Sequence, residues 1–290
     1  MTLISAFTEL ASGFVLCEAP VAGDRGVYFS DVRVGGVYFV TDDGEVTCVI
    51  EHRKGIGGMA PHVDGGFVVS GRNVSRKDLD QSTTLLGDRD ESAGRFIYND
   101  LTTDRDGRVY VGSFATNSPF EHDAEGRTGA LNVIDLDGSM HVLDPDYQAS
   151  NGMGFSADGR SLYVVETGRS ALWRYTLETP TSLVDKVRFW DFAADGPEGP
   201  DGMAVAADGS VWVACTQGRA VAVLDADGRH VETIPTPAGA TSVCFGGSDL
   251  RTLYVTTGGH GDDTHEAGVF MAAAAVAGIP IHPARVSGSS

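Results

Sequence analysis

The 290-residue sequence is poor in basic side chains: 21 Lys and Arg face 40 Asp and Glu, which gives a formal net charge of −19. Nucleic acids and anionic membrane surfaces are bound through clusters of Lys and Arg. The chain also lacks an apolar run of the roughly 18 residues that a membrane-spanning helix needs. We therefore expect neither a nucleic-acid partner nor a membrane partner.

Motifs typical of several other protein classes are missing as well. The four cysteines have no CxxC or CxxH spacing, and the N-terminal segment has acidic Glu9 and no basic stretch of a secretory signal peptide. These absences lead us to expect free thiols in a cytoplasmic protein. The chain has no glycine-rich phosphate loop before a helix. It also has no Gly-x-Ser-x-Gly elbow, which argues against a serine hydrolase.

What the sequence does have is a long-period repeat. Six short β-rich segments each follow an acidic or glycine turn, and their starts lie roughly 40 to 50 residues apart, the period of a four-stranded propeller blade. The segments are residues 27–31, 66–70, 109–113, 162–166, 211–215 and 253–257. Because no Pro/Ser/Gly-rich linker interrupts the repeat, we predict an all-β, six-bladed β-propeller in which residues 1–290 form a single domain.

The rest of each repeat supports this interpretation. Asp-Gly pairs such as Asp137-Gly138 lie between runs of alternating apolar residues, which is a strong hairpin signal. Residues 3–11 are predicted to supply the outer strand of the last blade, so that no sheet edge stays unpaired. Residues 272–277 are predicted to be a strand end followed by a tail, although their composition resembles that of a helix. The second blade is the least regular.

A propeller brings one loop of every blade to its axis, so residues that are distant in sequence can converge there. The loops before the predicted inner strands have polar or small residues at equivalent places, namely Glu18, Gly58, Asn99, Asn151, Asp201 and Ser242. Asn151 and Asp201 lie 50 residues apart, and each is followed by Gly-Met. Glu18, Asn99, Asn151 and Asp201 therefore form a candidate set of oxygen ligands.

Carboxylate and amide oxygens suit Ca²⁺, Mg²⁺ or Mn²⁺ better than Zn²⁺, because no Cys or His joins the set. The structural alternative is that Asn-Gly and Asp-Gly are merely turn dipeptides. Glu18 is no turn former, and the equivalent placement of the other residues favours a divalent-cation site.

Several segments resemble signature segments of the senescence-marker-protein/gluconolactonase family, which includes regucalcin. They are residues 99–112, 129–131, 150–153, 199–203, 211–215 and 266–270, and the resemblance covers nearly the whole chain. It implies a six-bladed propeller that opens a lactone, a cyclic ester, with metal-activated water. It also implies that one divalent cation, Ca²⁺ first and Mg²⁺, Mn²⁺ or Zn²⁺ as alternatives, is held by Glu18, Asn151 and Asp201. Asn99 would contact the substrate and cation-bound water, and Asp201 would take the proton of the attacking water.

The chain departs from the family at two pocket positions. Sugar lactonases of the family usually carry an Arg two residues before the substrate-binding Asn, where this chain has Ile97 and places Arg95 further upstream. A pocket carboxylate is replaced by Asn117. These losses favour a less hydroxylated or aromatic lactone over a sugar lactone. Arg72 is the candidate for a replacement cation at the substrate, and the alternative is a surface or salt-bridged arginine.

Other interpretations remain open. The same cation site could serve a different hydrolytic or ring-opening reaction, such as phosphotriester hydrolysis, or the propeller could bind a ligand without catalysis. The expected partner is a small-molecule lactone or related ester, and the expected assembly is a monomer or small homo-oligomer. His62 and His122 are candidates for a proton shuttle, and residues 260–266 form a polar segment with a weaker case as ligands.

Overall fold

The computed structural model describes residues 3–93, 95–116, 126–258 and 265–288. Within these ranges the chain forms 24 strands in six four-stranded antiparallel sheets. Helix is limited there to α1 (Phe192–Asp195) and two short 3₁₀ turns, and no described helix is long and apolar enough to span a bilayer. The all-β prediction is confirmed.

The first three sheets follow one another along the chain. Their strands are β2 (Cys17–Gly23), β3 (Gly26–Asp31), β4 (Val37–Thr41) and β5 (Val46–Ile50); β6 (Met59–Pro61), β7 (Phe67–Val69), β8 (Val74–Lys77) and β9 (Thr83–Gly87); and β10 (Ile97–Thr103), β11 (Val109–Phe114), β12 (Gly129–Ile134) and β13 (Met140–Tyr147).

The next two sheets have the same order, and the last is completed from the N-terminal end. Their strands are β14 (Ser150–Phe155), β15 (Ser161–Glu166), β16 (Ala171–Thr179) and β17 (Ser182–Asp191); β18 (Pro200–Val205), β19 (Val211–Cys215), β20 (Ala220–Leu224) and β21 (His230–Pro235); and β22 (Gly239–Gly246), β23 (Thr252–Gly258), β24 (Ala267–Ala273) and β1 (Thr8–Phe14).

The six sheets close into a ring. The first strand of each sheet contacts the first strand of the next, and β22 of the sixth sheet contacts β2 of the first. Strand β1 pairs with β24 in the register Thr8↔Met271 and Glu9↔Phe270, so the prediction that the N-terminal segment closes the last blade is confirmed. The molecule is therefore a six-bladed β-propeller whose innermost strands surround an axis.

The apolar core lies between successive blades. Tyr98 of β10 packs with Val68 and Leu86 of the second blade, and Trp212 of β19 packs edge-on against Phe245 of the sixth. Burying a large apolar side chain stabilises a fold by about 1.5–3 kcal/mol. Because each blade is held by both neighbours, the ring as a whole fixes the positions of the innermost strands.

The predicted strands exist, but their place in the blades differs from the prediction. The segments predicted as inner strands are β3, β7, β11, β15, β19 and β23, which come second in each blade. The innermost strands precede them and contain five of the six residues predicted in loops, while Gly58 lies directly before β6. A sequence such as SNGMGF in β14 has two glycines, no β-branched residue and a single aromatic residue at its end, so it has few of the residues that mark a strand and resembles a loop.

Residues 274–286, which follow β24, cross the end of the ring opposite Glu18, and we call this segment the strap. Ile279 N–H donates to Val205 O at 3.0 Å, and Ala284 N–H donates to Pro61 O at 2.8 Å. A cavity of about 520 Å³ lies under Ile279 and Ile281, between the carboxyl ends of the innermost strands. The predicted strand end and tail are confirmed, because β24 ends at Ala273 and no helix follows in the described residues.

Candidate active site at the propeller axis

Four blades place a polar side chain near the start of the innermost strand: Glu18 in β2, Asn99 in β10, Asn151 in β14 and Asp201 in β18. The register with the second strand slips at each of these places, which marks a β-bulge. A bulge bends the strand and re-aims its side chains. All four residues keep part of their surface accessible, so the ring brings the predicted oxygen ligands to one end of the axis.

The glycines that follow the predicted ligands in β14 and β18 allow neighbouring innermost strands to approach closely. A Cβ at Gly152 would lie 2.5 Å from Met203 N in the next blade, and a Cβ at Gly202 would overlap the Ser242 side chain. Neither glycine has a positive φ. These Asn-Gly and Asp-Gly pairs are therefore not turns, and a turn role does not explain them.

Hydrogen bonds across blades orient the two amide side chains. Asn99 Nδ2 donates to Ser150 O at 3.0 Å. Asn151 donates to the Asp201 carboxylate and from Nδ2 to Thr167 Oγ1 at 3.2 Å. Thr167 in turn donates to Pro200 O at 2.7 Å. Because the amide nitrogens are engaged with protein acceptors, the amide oxygens remain available to a ligand.

The carboxylates at the axis lie close enough to raise one another's pKa. Burial, then the charges of Asp201 and Asp100, raise the pKa of Glu18 well above its usual range. Burial and the charge of Asp100 likewise raise the pKa of Asp201, although the hydrogen bond from Asn151 opposes this. Burial raises the pKa of Asp100 to about 7. No Lys, Arg or His of the described ranges contributes to lowering the pKa of these three groups.

This donor set fits a divalent cation. Buried carboxylates without a cationic partner are costly, and a bound cation would offset that cost. No three His, Cys, Asp or Glu side chains of the described residues are close enough to hold a metal by themselves. A cation held by Glu18 and Asp201 would therefore also need the oxygen of Asn151, while Asp100 would act from outside the ligand set.

Asp100 was not among the residues predicted from sequence. It shares the bulge of β10 with Asn99 and accepts a hydrogen bond from its neighbour Leu101 N–H at 2.7 Å. Its signal in the sequence was the Asn-Asp pair itself, because a bulge exposes two successive residues to one side of the sheet.

The candidate substrate-binding residues lie in different surroundings. Arg72 is exposed in the turn after β7. An antiparallel bridge pairs Gly71 with Tyr98, with hydrogen bonds of 3.1 and 2.7 Å, and its register sets Arg72 beside Ile97. Asn117 lies outside the described residues, as do His122 and residues 259–264.

Two other residues singled out in the sequence point away from the site. Arg95 forms an ion pair with Asp90 at 2.8 Å and interacts with the Tyr98 hydroxyl, which also contacts Met140 of the outermost strand β13. Arg95 therefore does not replace the pocket arginine. His62 is buried under the strap at the opposite end, with Nε2 3.2 Å from Val286 O, so its prediction as a proton shuttle is wrong.

The fold and the axial donor set define a six-bladed β-propeller with an oxygen-lined site at one end of its axis. A sequence profile described as the SMP-30/Gluconolactonase/LRE-like region matches residues 16–259, and the chain belongs to this family.

Two relatives and one solved structure illustrate the similarity. The chain is 33% identical over 260 residues to pentonolactonase XacC of Haloferax volcanii, covering 85% of this chain and 83% of that protein. It is 30% identical over 249 residues to 6-deoxy-6-sulfogluconolactonase of Pseudomonas putida, covering 84% and 83%. The structure of a luciferin-regenerating enzyme superposes with a TM-score of 0.86 at 21% identity, covering 97% of this chain and 99% of that one.

Proposed function

We propose that the protein is a divalent-cation-dependent hydrolase that opens a lactone. The observation that carries the proposal is the convergence of two partly buried carboxylates, Glu18 and Asp201, with the Asn151 amide, without a cationic partner for either carboxylate in the described ranges. The names of the two relatives, a pentonolactonase and a sulfogluconolactonase, support lactone hydrolysis as the reaction. A scaffold that bound a ligand without catalysis would not require this costly arrangement.

Three side chains would hold the cation, and one of them would also act as the base. Glu18, Asn151 and Asp201 would hold the cation, with Ca²⁺ as the first choice for an all-oxygen donor set and Mg²⁺, Mn²⁺ or Zn²⁺ as alternatives. When bound, the cation would polarise the lactone carbonyl and lower the pKa of water. Asp201 would accept the proton of the attacking water, although a carboxylate that also holds the cation is a weaker base.

Asn99 would position the substrate. Its nitrogen is engaged with Ser150, so its oxygen is the atom left to accept a hydrogen bond from water or from a substrate hydroxyl. Because Asn99 and Asn151 are oriented by the protein before any ligand arrives, little reorganisation is needed at the moment of reaction.

We further propose a lactone with few hydroxyl groups or with an aromatic substituent. Ile97 presents an apolar side chain near Asn99, and Arg95 is held away from the axis by Asp90. A site built to hydrogen-bond a substrate hydroxyl binds the transition state much less tightly when that hydroxyl is missing, whereas an apolar side chain discriminates by only about 1–3 kcal/mol per methylene. An apolar Ile97 would therefore accept a lactone that lacks hydroxyl groups.

A lactone panel tests the reaction and its cation. Ring opening releases acid, so hydrolysis can be followed by the fall in pH for glucono-1,5-lactone, γ-valerolactone and an aromatic lactone. We expect turnover to disappear with a chelator and to return with Ca²⁺, Mg²⁺, Mn²⁺ or Zn²⁺ added singly. Full activity after exhaustive chelation, or no hydrolysis of any lactone with any of the four cations, would contradict the proposal.

A further inference from the structure

Three loops stack on one another at the site end of the first and second blades. We call them the rim loops, and they are residues 31–36, 51–58 and 70–73. Gly36 N–H donates to Arg53 O and Gly55 N–H donates to Val32 O, each at 2.9 Å. Gly71 packs against the same loop, because a Cβ there would lie 2.9 Å from Gly55 O.

The rim loops differ in charge from the rest of the chain. They carry four cations and two acids in a protein of net charge −19, namely Arg33, Arg53, Lys54 and Arg72 against Asp31 and Glu51. Asp31 is buried, and its carboxylate accepts hydrogen bonds from the N–H groups of Val15, Arg33 and Val34. Its charge is therefore occupied in holding the loop together.

Arg53 is partly buried within the rim loops and has no acidic partner among the described residues. Its Nη2 donates to Asn73 Oδ1 at 2.8 Å and to Asn73 O at 3.0 Å. Its Nε is buried without a hydrogen-bond partner. The positive charge of Arg53 is thus hydrogen-bonded but not neutralised, and it fixes the turn that bears Arg72.

Arg72 and Lys54 are exposed on this support. The stem of Lys54 packs near Gly35, where a Cβ would lie 3.0 Å from Lys54 Cγ. The bridge between Gly71 and Tyr98 sets Arg72 beside Ile97 and within two residues of Asn99 along the partner segment. Arg72 therefore stands next to an apolar side chain of the innermost strand β10, and Lys54 lies in the adjacent rim loop, against Gly35.

We propose that Arg72 and Lys54, supported by Arg53, form a subsite that binds an oxyanion of the lactone substrate, namely a carboxylate. This inference rests on the proposed function. With the cation bound, its two positive charges would be balanced by Glu18 and Asp201, so a lactone that carries a carboxylate needs a separate cationic contact. Arginine and lysine bind carboxylates through short, charge-assisted hydrogen bonds. Ile97 would then contact the apolar part of the lactone.

Two nearly isosteric lactones test the subsite. γ-Valerolactone carries a methyl group where γ-carboxy-γ-butyrolactone carries a carboxylate, so the ratio of their kcat/KM values reports recognition of the charge. We expect Arg72→Gln and Lys54→Gln to lower the ratio of the carboxylated to the methylated lactone, Arg72→Gln by about tenfold or more, which is the usual effect of losing a hydrogen bond to a charged group. The effect should lie in KM, and the wild-type ratio should fall as salt is added.

Arg25→Gln is the matched control, because Arg25 is an exposed arginine in the turn between β2 and β3, at the opposite end of the ring. An unchanged ratio in the Arg72→Gln, Lys54→Gln double variant, or an equal fall in Arg25→Gln, would overturn the inference.

A binding measurement separates this inference from the proposed function. Titration calorimetry with the open-chain product 2-hydroxyglutarate should show weaker binding to the double variant than to the wild type. Equal binding by both proteins would refute the subsite whether or not any lactone is hydrolysed.

Discussion

The Asn99 side-chain nitrogen lies 3.0 Å from the carbonyl oxygen of Ser150, the residue before Asn151. This hydrogen bond ties the third blade to the fourth at the place where each blade contributes a polar side chain to the axis. The position of Asn99 is therefore set by the neighbouring blade as well as by its own bulge.

The space around Asn99 gives the first prediction. A Cβ at Gly57 would overlap Asn99 Oδ1, so Gly57→Ala should displace the amide while leaving the blades packed. Because misplacement of a positioning group by about 1 Å can cost up to roughly 100-fold in rate, kcat/KM should fall severely with little change in Tm. Gly154→Ala is the control, since its Cβ would meet only the tips of the Val205 and Met203 side chains. Equal losses in both variants would refute this role.

The second prediction concerns the cation. Glu18→Gln and Asp201→Asn should each abolish activity and weaken Ca²⁺ binding by more than about tenfold, because each removes an anionic oxygen from the proposed ligand set. Titration calorimetry on chelator-treated protein measures the affinity. His265→Ala should change neither property, since its Nδ1 lies beside the outermost strand β1 of the sixth blade, 3.2 Å from Gly13 O. If the double variant at Glu18 and Asp201 still bound Ca²⁺ like the wild type, the assignment would be wrong.

The third prediction is a pH dependence of stability without divalent cations. The pKa of Asp100 is raised to about 7 by burial, so between about pH 4 and pH 7 the folded state holds a proton that the unfolded state has released. This group therefore destabilises the fold as the pH rises through that window, and its contribution is absent below about pH 4.

Asp100→Asn should remove this contribution. Its Tm should exceed that of the cation-free wild type at pH 8, and the difference should shrink toward pH 4. Saturating Ca²⁺ should reduce the gap at pH 8. Asp137→Asn, in an exposed hairpin turn, is the control for a general charge effect. A Tm difference that did not vary with pH would contradict the prediction.

The fourth prediction concerns specificity. Ile97→Arg should raise the preference for glucono-1,5-lactone over γ-valerolactone, because it adds a hydrogen-bond donor beside Asn99. Ile97→Met, which keeps the wall apolar, should leave that preference within a few-fold of the wild type. The comparison is made on kcat/KM ratios. A wild type that already prefers the sugar lactone would show that another residue supplies the polar contact.

Much of the fold could be predicted from local pattern. Asp-Gly pairs mark hairpins because glycine adopts a positive φ without strain, as Gly107 and Gly138 do at +96° and +84°. The even spacing of the β-rich segments predicted six blades, and the remaining apolar segment at the N-terminus predicted the closing strand. These features depend on residues that are near one another in sequence.

The sequence by itself determined the blade repeat, its closure and the identity of Glu18, Asn99, Asn151 and Asp201 as candidates. Only the tertiary structure decided that these residues lie in bulges of innermost strands, that Asp100 joins them, and that Arg72 stands beside Ile97. It also placed Arg95 and His62 away from the site. The reason is physical: each of these outcomes depends on contacts between different blades, and those contacts exist only after the ring has closed.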